Sequence, residues 1–310
     1  VRAVTGRGEK VQDTHDQAFQ HPKWGGLAYR IAQTISWGST LRDRLLIAAY
    51  YGLLASVSAA HLRRMMTGMY PQFWLGDIRV STPLGRFECR GGTTDFDIVN
   101  PNYESAVIKI VREKLSDRPG GPQVFLDVGA HIGKYAILAG RLLRNTGRVI
   151  AFEPEPDNFR LLQKNVALNG LANVRCLNVG CWSHDGSLKL YRARGNLGGH
   201  SFLGPRGGES VEVSVRTLDS VLPEQGTGSV DMIKIDVERG ESHVLRGARR
   251  ILESSPRVMV LVEESGNPGT SSALRFLSSI GFRVRHLAGI TYLGTPNNGL
   301  PSEPSKPAST

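Results

Sequence analysis

Cysteine is scarce in this sequence: Cys89, Cys176 and Cys181 are the only three in 310 residues, and no C-x-x-C pair occurs. An odd, widely spaced set excludes a disulfide scaffold and a cysteine-built zinc site, and fits reduced thiols in an intracellular setting. The eight histidines form no H-x-H, H-x-x-H or H-E-x-x-H spacing, so no zinc site is expected from them. No run of basic residues exceeds two, as at Arg63-Arg64 and Arg249-Arg250. Aromatic and basic residues do not interleave as single-stranded nucleic acid would require. The first 30 residues lack the charged start, apolar stretch and small-residue cleavage site of a secretion signal, which leaves the cytoplasm as the expected location.

Charge is missing from one internal stretch. From Leu45 to Leu62 no Lys, Arg, Asp or Glu occurs, and Arg42, Arg44, Arg63 and Arg64 bracket it. Its length sits at the lower limit for a membrane span, roughly 17–20 residues. Gly52, His61, two Tyr and two Ser lower its apolar character. A buried or surface-packed helix is therefore expected over 45–62, with peripheral membrane contact as its partner reading.

What is present is ordinary in bulk and unusual in detail. The 40% hydrophobic and 21% charged residues are globular values. The 36 glycines imply tight turns and close backbone approaches. A net charge of +10, carried by 29 Arg and 9 Lys against 28 acids, suits phosphorylated substrates, nucleic acid or an anionic surface, or is simply spread over a solvated exterior. Residues 1–75 read as an N-terminal extension, and 77–90 as a hairpin turning at Thr82-Pro83-Leu84-Gly85. A lead-in helix completes 76–121. From Pro122 short apolar runs alternate with helical segments. Strands are expected at Val124–Val128, Arg148–Phe152, Val174–Val179, Met232–Val237 and Val258–Val262, and helices at Lys134–Leu143, Asn158–Leu168, Glu241–Leu252 and Ser271–Ser279. That alternation predicts an α/β, doubly wound, mostly parallel sheet over 122–294. Residues 295–310, with four Pro, read as a disordered tail.

The segment Val124-Phe-Leu-Asp-Val-Gly-Ala-His-Ile-Gly-Lys-Tyr135 carries the sharpest chemistry. A strand runs to Asp127, a turn follows through Gly129, Ala130, His131 and Gly133, and a helix begins. Ligands of open α/β sheets bind beyond such strand ends. The turn is neither a P-loop nor a G-x-G-x-x-G fingerprint: the spacing from Gly129 to Gly133 is one short, Tyr135 replaces the magnesium-binding Ser/Thr, and His131 replaces the second glycine. The acidic strand end would repel a pyrophosphate and suit a cationic amino-acid ligand such as S-adenosylmethionine. Glu153, twenty residues after Gly133 and at the end of the next strand, falls where an acid reaches ribose hydroxyls. Further on, alternation in Asp231-Met-Ile-Lys-Ile-Asp-Val-Glu238 puts Lys234 and Asp236 on one face. They read either as a pair acting on an acceptor hydroxyl, with Glu238 shaping the turn, or as a buried ion pair under the sheet. His131, Glu104 and Glu263 are the reserve candidates for the base. An oxygen-bound magnesium through Asp236 with Glu263 or Glu264 stays open, and no metal site is assigned. The glycine-rich loop Gly195–Gly208 reads as a lid or substrate loop.

Together with Phe159, Asn165, the stretch Asn178–Gly186, Val215–Leu222 and Ile233–Gly247, these segments resemble the FkbM-type S-adenosylmethionine-dependent methyltransferases, within the seven-strand, Rossmann-like class I methyltransferase fold. The resemblance runs from about Gly92 to Ser265. It implies that Asp127, Gly129 and Gly133 line the methionine moiety, Glu153 the ribose, and Asn178 and Val179 the adenine edge, with His131 in a cofactor-side hydrogen bond. One departure stands out: the family's K-I-D-V-E-G reads here with Arg239 in place of the final glycine. The function implied is O-methyl transfer to a sugar, glycolipid or secondary-metabolite hydroxyl, with a small-molecule or glycan acceptor as partner. An RNA methyltransferase and a non-catalytic nucleotide-binding module are the alternatives.

Overall fold

The computed structural model describes residues 24–59, 76–116, 123–193, 198–204 and 207–297. Two helices lead, α1 (Trp24–Ser36) and α2 (Leu41–Ala59), followed by a hairpin of β1 (Ile78–Thr82) and β2 (Gly85–Cys89), then α3 (Asp95–Ile98) and α4 (Ser105–Ser116). The alternating part continues as β3 (Gln123–Val128), α5 (Lys134–Leu142), β4 (Gly147–Phe152), α6 (Pro156–Leu168) and β5 (Val174–Leu177). A side sheet follows, from β6 (Gly180–Cys181), β7 (Gly186–Ala193) and β8 (Gly207–Arg216). The chain then returns through α7 (Leu218–Glu224), β9 (Met232–Ile235), α8 (Glu241–Arg246), α9 (Arg249–Ser254), β10 (Met259–Glu263), α10 (Ser272–Ser279), β11 (Phe282–Ala288) and β12 (Thr291–Pro296).

The main sheet has seven strands in the order β11-β12-β10-β9-β3-β4-β5. Pairings from β10 through β9, β3 and β4 to β5 are parallel, and β12 runs antiparallel to both neighbours. Every residue of β3 and β9 is buried, as expected of parallel strands covered on both faces. Alternation divides them between two cores: Phe125 and Met232 pack with Ile137 of α5, while Leu126 and Ile233 pack with Val244 of α8. Winding from β3 goes one way to β4 and β5 and then reverses to β9, so the switch point lies between β3 and β9. A cleft opens beyond their carboxyl ends, the position such sheets reserve for ligands.

The N-terminal elements are fastened to this frame by polar contacts. Tyr50 of α2 donates to Asp97 of α3 at 3.1 Å and meets Phe96 edge-on. The hairpin is held by two asparagines one turn apart, one on α6 and one capping its end. Asn165 accepts from the Glu88 N–H and donates to its carbonyl, and Asn169 does the same for Arg86. Two amides thus imitate a neighbouring strand along β2, which satisfies an edge otherwise exposed. At the start of α6, Glu155 caps the Asp157 and Asn158 N–H groups ahead of Pro156.

Several expectations are corrected. The helix expected over 45–62 starts earlier, at Leu41, and runs through Ala59; residues 60–62 lie outside the described residues. No helix among those described is long and apolar enough to cross a membrane. The single helix expected over Glu241–Leu252 is two, broken at Gly247, where a Cβ would lie 2.0 Å from the Trp182 carbonyl oxygen. Asp219 caps the second piece by accepting from Arg250 and Ile251. β12 extends into the expected tail as far as Pro296, and 298–310 lie outside the described residues. The side sheet and strands β11 and β12 were not anticipated.

Candidate active site

At one end of the cleft, β3 delivers Asp127 and β4 delivers Glu153, both buried. The Gly129 and Ala130 N–H groups both donate to the Phe152 carbonyl, which ties the glycine turn to β4. Gly129 is also required by a contact within the protein. Its φ is +84°, and a Cβ there would lie 1.9 Å from the Asp236 carbonyl oxygen. This close approach is between two turns of the protein. Glu153 accepts from the His131 N–H at 2.8 Å and the Glu155 N–H at 3.0 Å. Burial outweighs these bonds and raises it to about 7. Burial likewise raises Asp127 to about 6, against the pull of Lys234. Asp127 Oδ2 and His131 Nδ1 are buried with no protein partner.

The other end is charged and self-paired. Lys234 on β9 donates to Asp236 at 3.0 Å and to Glu263 of β10 at 3.1 Å. Glu104, from the turn before α4, accepts from Lys134 at 2.7 Å and from the Tyr135 hydroxyl at 2.8 Å. Oxygens of Glu104, Asp236 and Glu263 come within 4.8 Å of one another. Burial alone would favour a neutral lysine, but Asp236, Glu263 and Glu104 together hold Lys234 well above its ordinary range. These acids favour its ammonium form, which donates to Asp236 and Glu263. Glu104 is held low, against burial, by Lys234 and Lys134, whereas burial and the neighbouring acids push Glu263 well up. Asp236, with 34% of its side chain exposed against 4% for Lys234, is the carboxylate most open to an acceptor. Glu264 stands outside this acidic group, whose three oxygens are close enough together to hold a metal ion, and Lys234 is bonded to two of its members.

Beyond Asp236 the chain turns through two left-handed residues, Glu238 (φ +53°) and Arg239 (φ +80°). Glu241 steadies them by accepting from the Val237 and Arg239 N–H groups. Ser201 donates to the Glu238 carbonyl at 2.8 Å, which latches the segment 198–204 over the cleft, where His200 and Phe202 line it. This is the described part of the loop expected as a lid.

The structure thus brings Asp127, Gly129, Ala130, His131, Glu153, Lys234, Asp236 and Glu238 to one cleft. Gly133 lies behind the turn, its α-carbon facing Leu162. Asn178 and Val179 are not among the lining residues. Asn178 instead braces the β4 end, donating to the Glu153 and Pro154 carbonyls, and Val179 packs against the core under α7–α10. Sequence reasoning missed Tyr103, Lys134 and Tyr135. The adjacency of Lys134 and Tyr135 to Gly133 was the one available signal.

An S-adenosylmethionine molecule offers an ammonium, a carboxylate and two ribose hydroxyls. The unpartnered Asp127 Oδ2, the unpartnered His131 Nδ1 and the Glu153 carboxylate are groups that fit it. The sheet order, the switch-point cleft and the acid ending the second strand define a class I methyltransferase fold. Within that class the chain belongs to the FkbM methyltransferase domain family, whose model matches residues 127–284. It is 32% identical over 165 residues to methyltransferase sdnD of Sordaria araneosa, covering 43% of this chain and 62% of that one. It is 30% identical over 184 residues to the 31-O-demethyl-FK506 methyltransferase FkbM of Streptomyces tacrolimicus, covering 50% and 68%. To the hexuronic acid methyltransferase AglP of Haloferax volcanii the identity is 26%, covering 53% and 64%. S-Adenosylmethionine is the cofactor of this family.

Proposed function

We propose that this chain transfers the methyl group of S-adenosylmethionine to a hydroxyl oxygen of a sugar, glycolipid or secondary metabolite. The cofactor supplies a methyl carbon bonded to a sulfonium, which is its own leaving group. Asp127 takes the ammonium of the cofactor, and Glu153 accepts from its ribose hydroxyls. Asp236 receives the proton of the acceptor hydroxyl. Lys234 holds that carboxylate in place, and the lid residues His200 and Phe202 exclude water. The observation that carries this reading is the Lys234–Asp236 pair of 3.0 Å, set across the switch point from Asp127, with Asp236 the open member. Two of the relatives support the acceptor class by their names, one a 31-O-demethyl-FK506 methyltransferase and one a hexuronic acid methyltransferase. The test is transfer of labelled methyl from S-adenosylmethionine to separated glycan, lipid, polyketide and RNA pools. Label on hydroxyls of the first three supports the reading, and label confined to RNA overturns it.

A further inference from the structure

The glycine turn places a histidine whose ring is gripped by the protein on one side only. His131 sits in left-handed backbone, φ +49°. Its Nε2 lies 3.3 Å from Arg90 Nη2. Arg90 follows β2, and its guanidinium forks onto the fully buried Asp95 of α3, Nε to Oδ2 at 2.8 Å and Nη2 to Oδ1 at 3.1 Å. The Arg90 N–H donates to Asp95 Oδ2 as well, at 3.0 Å. This fork uses one hydrogen of Nη2 and leaves the second for the imidazole. Arginine has no acceptor and keeps its protons in proteins, so Nε2 facing it must accept. A neutral imidazole carries one ring proton, which then resides on Nδ1. The tautomer of a histidine is set in this way by the partner of its other nitrogen. Burial, opposed by Asp95, lowers His131 to about 4 and keeps the ring neutral at pH 7. The Asp95 carboxylate is 3.5 Å from Nε2, beyond the 3.3 Å to Arg90 Nη2.

We infer that Arg90 locks His131 in the Nδ1–H tautomer, and that this N–H is the donor for the carboxylate at the amino-acid end of S-adenosylmethionine. The inference rests on the cofactor reading above and adds to it a specific reader for each half of a zwitterion: Asp127 Oδ2 for the ammonium and His131 Nδ1 for the carboxylate. The opposite tautomer would aim its proton at the Arg90 N–H and present a lone pair to the cofactor carboxylate. Arg90 and Asp95 are positioning residues. Both lie outside the matched span 127–284, so the N-terminal elements complete the cofactor site.

Nitrogen-15 spectra of the histidine rings in the full chain at pH 7 read the tautomer directly. His131 is expected as Nδ1–H; an Nε2–H or doubly protonated ring overturns the inference. Calorimetry supplies the second arm, with S-adenosylhomocysteine and 5′-methylthioadenosine, which lacks the ammonium and carboxylate, as probes. Arg90→Gln is expected to weaken S-adenosylhomocysteine by about tenfold to a hundredfold, the scale of a hydrogen bond to a charged group, and to leave methylthioadenosine unchanged. His131→Phe gives the same pattern and serves if Arg90→Gln does not fold. Equal losses for both probes, or none for S-adenosylhomocysteine, overturn the inference. If the unmodified chain binds neither probe, the cofactor reading itself is overturned.

Discussion

The β3–β4 end of the cleft keeps two buried polar atoms, Asp127 Oδ2 and His131 Nδ1, without a protein partner. The β9–β10 end pairs both its ammoniums, Lys134 and Lys234, with carboxylates. A buried polar atom with no partner is costly, and raised acids such as Asp127 and Glu153 express the same cost. On the proposed function, a bound cofactor would relieve that cost. The other end is preorganised: its charges are fixed before an acceptor arrives, which is the arrangement that lowers the cost of charge movement during reaction. On the proposed function, the first half binds the cofactor and the second acts on the acceptor.

The comparison is broken most severely by removing Lys234. Lys234→Ala leaves Asp236 and Glu263 without their shared ammonium and is expected to cost about 3–5 kcal/mol of stability, read by urea unfolding, together with loss of turnover. Asp236→Asn separates the two effects. It should unfold like the parent and lose turnover by roughly 10²–10⁴-fold, once an acceptor is in hand. A Lys234→Ala protein as stable as the parent would show that charge pairing does not hold this end together.

Gly129→Ala tests the junction between the two ends. The added carbon meets the Asp236 carbonyl in a left-handed backbone, so a loss of about 1–3 kcal/mol or more is expected in the same unfolding assay. Unaltered stability would mean that the turns at the switch point are not in contact.

Glu153→Gln sharpens the picture of the binding end, because it removes the pH dependence of the buried carboxyl and weakens the cofactor at once. Glu153 rises from 4.5 to about 7 on folding, so the folded chain takes up a proton between these values. Its contribution is most favourable below about pH 4.5 and is lost as pH rises through about 7. The parent should therefore lose stability between about pH 4.5 and 7, and Glu153→Gln, which carries no titrating group there, should not show that loss. It should bind S-adenosylmethionine about tenfold to a hundredfold more weakly. The same pH dependence in both proteins would contradict the burial cost.

The smallest effect is expected at Arg239, which occupies φ +80° where the family has glycine. Arg239→Gly should relieve the strain and stabilise the chain by about 1 kcal/mol, visible as a small rise in melting temperature. A fall would mean that the Arg239 side chain holds the turn.

These contrasts also mark how far the sequence can be read. Asp127, the glycine turn and Glu153 lie within one βαβ unit, so their spacing predicts their meeting. Lys234 and Asp236 follow from alternation along one strand. Glu104 and Glu263 were only reserve candidates, and Lys134 was not considered. Their encounter depends on α4, α5 and β10 converging, over separations of 30 residues or more, and no local period encodes that. Asn165 was legible as a helix residue, but neither it nor Asn169 as a surrogate strand partner, since the hairpin they pair with lies about 80 residues earlier. The break at Gly247 was hidden because the apolar period continues across it, and only the Trp182 carbonyl forbids a side chain there. Asn178 was placed at the adenine edge by resemblance, and its role in bracing the end of β4 through two donated hydrogen bonds was not legible.

The division of the cleft into a binding half and a reacting half is tested most directly by titrating S-adenosylmethionine calorimetrically into three proteins: the unaltered chain, Asp127→Ala and Asp236→Asn. The account expects one cofactor per unaltered chain, binding largely abolished in a folded Asp127→Ala protein, and affinity nearly unchanged in Asp236→Asn. Parent-like affinity in Asp127→Ala, or a collapse of affinity in Asp236→Asn with Asp127→Ala unaffected, would contradict it.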